Sequence, residues 1–304
     1  MGDEVVVSIV VPAHNAAATL GAQLEALGGQ QLSQPWEIVL ADNGSTDDTR
    51  GVAERWAQRA PRLRIIDAGA RRGASAARNI GAGAARGTLL LFCDADDVVD
   101  ADWADRMVSA LADSALVGGV LENRRLRQAG AASVSWEANA EIRLHYWIRF
   151  EAASGSNLGI RRDVFESLGG FDESLITGED VDLCWRAQLA GHSFGRVRDA
   201  IIHSRPRVGL RAIHRQAFTY GQGHRQLRRK YAAFIQQDAA AAPPAVVPGG
   251  GTAAPSSGNS MWQRVRRLGT ASGLADLVWR LGEAQGERFT RADRAVTPVE
   301  PADD

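Results

Sequence analysis

VVVSIVVPAHN, residues 5–15, is a mainly β-branched run stopped by Pro12 and followed by a polar turn. The run does not alternate with polar positions. That marks a strand buried on both faces, as in a parallel sheet covered by helices. Outward from it, residues 17–27 set Leu20, Leu24 and Leu27 on one helical face. A second strand, 37–41, ends at Asp42, and a helix over 46–59 follows a Ser45/Thr46 cap. Strands at 63–67 and 88–93 flank an alanine-rich helix at 75–85. Beyond them come a helix at 101–111, strands at 116–121 and 156–160, a short helix at 162–168 and a helix at 179–190. Two short strands, 193–197 and 200–203, close the unit. Alternating strands and helices with short connections predict an α/β fold with a mostly parallel sheet.

The 304 residues suit one large domain with an extension. Hydrophobic residues at 45% and charged residues at 23% exclude a disordered chain or a fibre. A net charge of −1 gives no general attraction to nucleic acid. Of the 35 basic residues only Lys230 is lysine, which looks like a coding bias and weakens each arginine as a sign of phosphate binding. Cys93 and Cys184 stand alone in apolar runs and read as small buried hydrophobes in a reducing compartment. The acidic start MGDE is wrong for a signal peptide, and no apolar run is long enough to span a bilayer. The expected location is therefore cytoplasmic, or peripheral on the inner face of the plasma membrane.

Ligands of open α/β sheets bind outside the carboxyl ends of the strands. Here those ends are Pro12-Ala13-His14-Asn15, Asp42-Asn43-Gly44-Ser45 and Asp94-Ala95-Asp96-Asp97. Asp94 and Asp96 follow LLLFC closely enough to share one Mg²⁺ or Mn²⁺ together with phosphate oxygens. The alternative is a solvated turn with Asp97 and Asp100 as helix caps. Glu179-Asp180 opens a helix and reads equally as a dipole-favoured cap or a general base. His203 ends an apolar strand, where a histidine is either structural or a metal ligand. Gly81-Ala82-Gly83 with Gly87 is no dinucleotide loop, because it precedes a strand. Ile142, Tyr146, Trp147 and Phe150 recur at helical spacing and read as core or as a sugar-stacking surface.

VSIVVPAHN, ADNGSTDDT, RGASAARNIGAGAARG, LLLFCDADD, GSNLGIRRDVFESLGGFDE and GEDVDLCWRAQLAGH resemble, in order and spacing, the motifs of inverting family-2 glycosyltransferases of the GT-A fold. The resemblance covers residues 5–203, with a looser echo to about Tyr231. It implies that Pro12, Ala13, His14, Asn15 and Asp42 hold the nucleotide. Arg72, Gly73 and Arg78 would border the diphosphate, with Ala95 and Glu179 beside the donor. Asp94 and Asp96 would bind the metal, joined by His203, and Asp180 would be the catalytic base. Ala16 and Asn43 replace the Glu and second Asp of many relatives. No Gln-x-x-Arg-Trp motif is present, which favours transfer of single sugars over processive synthesis. The implied donor is a nucleotide-diphosphate sugar, UDP-sugar first, and the implied acceptor is a hydroxyl on a glycan, a lipid-linked molecule or a small molecule.

Two rivals stand beside this reading. A haloacid-dehalogenase-type phosphatase also uses Asp-x-Asp-x-Val, but wants its strand early and a lysine later. A non-catalytic nucleotide-sugar-binding protein would bind donor unchanged by Asp180→Asn. The expected organisation is a catalytic domain over 1–205, a basic helical extension over 206–237, a flexible linker over 238–260 and an amphipathic helix with a frayed tail over 261–304. Residues 196–230 hold ten Lys/Arg and one acid, Asp199. Such a segment reads either as a cationic face for a membrane or lipid-diphosphate acceptor, or as a solvated surface with a few diphosphate contacts, including a lid over 197–215.

Overall fold

The computed structural model describes residues 5–60, 62–127, 149–241, 271–288 and 296–299. Strands β1 (Val7–Ala13), β2 (Trp36–Asp42), β3 (Leu63–Asp67) and β4 (Leu89–Cys93) are interleaved with helices α1 (Leu20–Gly28), α2 (Thr49–Ala57) and α3 (Ala74–Ala84). Then come β5 (Val98–Val99), α4 (Trp103–Ala110), β6 (Leu116–Glu122), β7 (Asn157–Arg161), α5 (Arg162–Ser167), α6 (Glu179–Leu189) and β8 (Phe194–His203). The described chain ends in α7 (Leu210–Lys230), α8 (Ala232–Ala241), α9 (Ala271–Arg288) and residues 296–299. The eight strands form one sheet in the order β3-β2-β1-β4-β7-β6-β8-β5. The first four pair in parallel, as expected, and β7 then enters antiparallel to both β4 and β6.

The unbroken apolar run of β1 serves two cores. Val7, Ile9 and Val11 face one layer with Leu20, Leu24, Trp103 and Met107. Val10 faces the other, with Phe92, Phe165, Phe171 and Trp185. Ser8 is fully buried within this strand, and its hydroxyl donates to Glu37, which also pairs with Arg64 at 2.8 Å. The same serine accepts the Gly87 N–H. A Cβ on Gly87 would press on the β1 backbone at 2.7 Å, so only glycine lets the α3–β4 turn lie this close.

The structure differs from expectation in four places. Two expected short strands are one, β8, which crosses an irregularity opposite Gly118 and Val120. The two-residue β5 pairs with its end and is too short to leave a periodic signal. The last helix runs over Ala271–Arg288 and packs along α7. The expected frayed tail is docked where it is described: Val296 and Val299 pack on the second core, and Val299 N–H donates to Lys230 O at 2.8 Å. The aromatic spacing of 142–147 and the linker expected over 238–260 lie outside the described residues, apart from 238–241 at the end of α8 and Phe150, which packs on the second core.

Candidate active site

The register Ala13↔Asp42 brings the ends of β1 and β2 level, so their loops leave the sheet side by side. Asn15 takes a left-handed conformation, φ 51°, which asparagine tolerates better than most residues. Its side-chain oxygen accepts the Thr46 N–H at 2.7 Å, and its own N–H donates to Ser45. The His14 ring lies 3.0 Å from Asn43 O. Asn43 joins three loops: its amide donates to Ala68 O and Arg71 O and accepts the Gly73 N–H. A carboxylate could not make those two donations, which gives the asparagine a structural reason. Asp42 is buried and accepts the Ser45 N–H.

The apolar β4 ends in Asp94, and the carboxylates of Asp94, Asp96 and Asp97 each offer an oxygen within 4.8 Å of the others. Burial, reinforced by Asp94, pushes Asp96 above the ordinary carboxylate range and Asp97 well above it. Three crowded carboxylates of this kind suit a hard divalent cation. Under the alternative of a solvated turn Asp97 would cap a helix; its carboxylate instead accepts the Arg205 N–H. Arg207 Nη1 lies 3.3 Å from Asp96 Oδ2.

Behind Asp94 sits Arg78, 5% exposed. Its guanidinium donates to Asp94 Oδ1 and Glu179 Oε1, both at 2.8 Å, over the ring of Phe171. Burial opposes its charge, yet Asp94, Glu179 and Asp180 together raise its pKa. Burial and the neighbouring Asp180 raise Glu179. Arg78, expected to border the diphosphate, is the tie between the acidic loop and the start of α6. Asp180, in the first turn of α6, accepts the Gly155 N–H at 2.8 Å and the Val181 N–H.

A cleft of about 480 Å³ is lined by Pro12–Asn15, Arg72, Gly73 and Asp94–Asp96, with Arg205 and Arg207 beside the acidic loop. The structure thus brings nine of the residues singled out in the sequence to one wall, and places Asp42, Arg78, Glu179, Asp180 and His203 behind or beside it. A larger cavity of about 810 Å³, between α3 and the 165–174 turn, does not take in the acidic loop. His203 lies outside the three-aspartate cluster. Its Nδ1 is 2.9 Å from Glu122 Oε2, while Nε2 has no hydrogen-bond partner and is 3.7 Å from Asp100. The ring and two backbone N–H groups outweigh burial and hold Glu122 below its ordinary range. Glu122 is therefore an acceptor, and Nδ1 carries the proton. Arg205 and Arg207, which line the cleft, come from the 197–215 stretch expected as a lid, though neither was singled out by number. Their signal was the arginine-rich run after His203.

The sequence profile described as Glycosyl transferase family 2 matches residues 8–169, and that of Glycosyl transferase family group 2 matches residues 89–280. Glycosyltransferase AglE of Haloferax volcanii is 30% identical over 225 residues, covering 73% of each chain. Succinoglycan biosynthesis protein ExoA of Rhizobium meliloti is 30% identical over 237 residues, covering 71% of this chain and 68% of that one. Among solved structures, Pyrobaculum calidifontis mannosyltransferase PcManGT, in complex with GDP-Man and Mn²⁺, superposes with a TM-score of 0.57 at 21% identity, covering 93% of this chain and 73% of that one. TarS 1–349 of S. aureus, in complex with UDP-GlcNAc, gives 0.52 at 16% identity, covering 76% and 73%. The fold is GT-A, and the chain belongs to glycosyltransferase family 2.

Proposed function

We propose that this enzyme is a metal-dependent, inverting, non-processive glycosyltransferase. It moves one sugar from a nucleotide-diphosphate sugar, UDP-sugar first, to an acceptor hydroxyl in the synthesis of a glycan, glycolipid or glycosylated natural product. The observation that carries this reading is the chain Asp96, Asp94, Arg78, Glu179, Asp180, in which one buried guanidinium ties the acidic loop to the α6 terminus. Relatives supply the context: PcManGT binds GDP-Man with Mn²⁺ and TarS binds UDP-GlcNAc.

Asp94 and Asp96 hold the cation, Mn²⁺ or Mg²⁺, with Asp97 beside them. His203 is kept as a further ligand, because Nδ1–H on a carboxylate leaves Nε2 free, the usual state of a metal-bound imidazole. The cation supplies charge neutralisation of the departing diphosphate. The loops of Pro12–Asn15 and Asp42 receive the nucleotide, with Asp42 on the base, and Arg72, Gly73, Arg205 and Arg207 border the diphosphate. Asp180 takes the proton of the acceptor hydroxyl as its oxygen attacks the anomeric carbon; the nucleoside diphosphate leaves, and a single displacement inverts the centre. The backbone N–H groups of Gly155 and Val181 hold the Asp180 carboxylate in place. A positioned base contributes about 10²–10⁴-fold. The phosphatase rival loses its lysine, since Lys230 is engaged by Asp172 and Asp182.

The test is nucleoside-diphosphate release from a panel of UDP-, GDP- and dTDP-sugars with Mn²⁺, Mg²⁺ or EDTA, in wild type and Asp96→Ala. The expected result is metal-dependent release from one donor that the variant loses. Release that persists in EDTA, or no metal-dependent nucleotide binding by calorimetry, overturns the reading.

A further inference from the structure

Among the described residues, every exposed large hydrophobic side chain lies in one region. Val208 precedes α7 and Leu210 opens it, and Leu274, Leu277 and Leu281 lie on α9, the last 53% exposed. The three leucines follow the i, i+3, i+7 spacing of a single helical stripe. The stripe is not the face by which α9 holds α7. That seam is made by the buried Gly282 and Gly286, against His214, Phe218 and Gln222 of α7, and the buried Ala275 shares their face of α9. At about 100° per residue, the leucines stand roughly 120° around the helix from the seam.

The two helices run in the same direction. Gly282 lies against His214 and Phe218, Gly286 against Phe218 and Gln222, and Arg225 donates to Glu287 O. This register sets Leu277 level with Arg211 and Leu281 level with Arg215. Equal rotation away from the seam turns both exposed arginines to the same side as the leucines. No acid occurs in α7. The acids of α9 lie elsewhere: Glu283 and Glu287 pair with His224 and Arg228, and Asp276 projects from the opposite side of the helix.

A face that joins bare leucines to arginines asks for hydrocarbon and negative charge together, which an anionic bilayer surface supplies. A second copy joined through this face would bury the arginines of both copies with no acid on either face to pair them. We propose that the α7–α9 face seats the enzyme on an anionic membrane. At the far end of the basic segment Arg225 and Arg228 are turned to Glu287 instead. Val208 and Leu210 directly follow Arg205 and Arg207 of the cleft wall, so the seated face keeps the cleft close to the lipid headgroups.

The test is co-sedimentation of the full chain with vesicles of phosphatidylcholine alone and of phosphatidylcholine with phosphatidylglycerol. Wild type is expected to sediment with the phosphatidylglycerol vesicles, and less so as salt is raised. Leu277→Ser with Leu281→Ser lowers partitioning by about tenfold or more; Arg211→Gln and Arg215→Gln each lower it by roughly fivefold. Donor-sugar hydrolysis by the serine variant stays at the wild-type level, which separates this proposal from the catalytic one. Three results overturn it: wild type that stays in the supernatant with both vesicles, a serine variant that sediments like wild type, or a dimer seen by light scattering that the serine variant dissolves.

Discussion

Arg78 shows how much of the site rests on one residue. Its two carboxylate partners, Asp94 just past β4 and Glu179 in the first turn of α6, come from parts of the chain far apart in sequence. Removing one member of a buried ion network leaves charges without compensation and typically costs about 3–5 kcal/mol. Arg78→Met is expected to lower the unfolding free energy in urea by that order, and adding Glu179→Gln to recover part of it. No recovery would mean that the arginine acts through packing on Phe171 instead. At this scale the sequence was informative wherever a polar residue ends an apolar run, as Asn15, Asp42 and Asp94 do. It was silent on partners. Nothing in the vicinity of His203 announces Glu122, 81 positions away, and nothing near Asp97 announces the N–H of Arg205, 108 positions away.

At the scale of elements, α7 and α9 meet through glycines. A Cβ at Gly221 would run into the Glu283 carbonyl, and one at Gly286 into the Phe218 carbonyl. Backbones this close leave no room for a side chain, and forcing one in typically costs about 1–3 kcal/mol. Gly286→Leu is expected to speed amide hydrogen exchange across 271–288 while protection in β1 and β4 is unchanged. Equal loss of protection in both would show instead that α9 unfolds only with the whole domain. A glycine inside a helix counts against that helix by propensity alone, because propensity concerns one helix and close approach concerns two. The long strands and helices were legible from periodicity. The direction of β7 was not, since an isolated apolar run carries no sign of whether its neighbours run with it or against it.

Across the whole molecule, the end of α7 is fixed to α6 and the turn before it by charge. Lys230 Nζ lies 2.5 Å from Asp172 and 2.7 Å from Asp182, while Arg186 and Tyr231 complete the coordination of Asp182. Burial alone would raise Asp172, but hydrogen bonds from Lys230 and Ser174 hold it below its ordinary value of 3.8. A carboxylate with a lowered folded-state pKa stabilises above its unfolded value and loses that contribution as pH falls through the folded one. Asp172→Asn is therefore expected to melt below wild type at neutral pH, with the gap closing as the solution is acidified below 3.8. A gap that stays constant with pH would point to packing. The same region receives the end of the described chain, where Val299 donates to Lys230 O and sits with Val296 on the second core. Since α9 is held along α7 and residues 296–299 are held beside Lys230, the peptide joining α8 to α9 is not what keeps them in place. A specific protease site inserted at residue 255 and cut is expected to yield two fragments that elute together on gel filtration, so that the enzyme can be produced as two complementing halves.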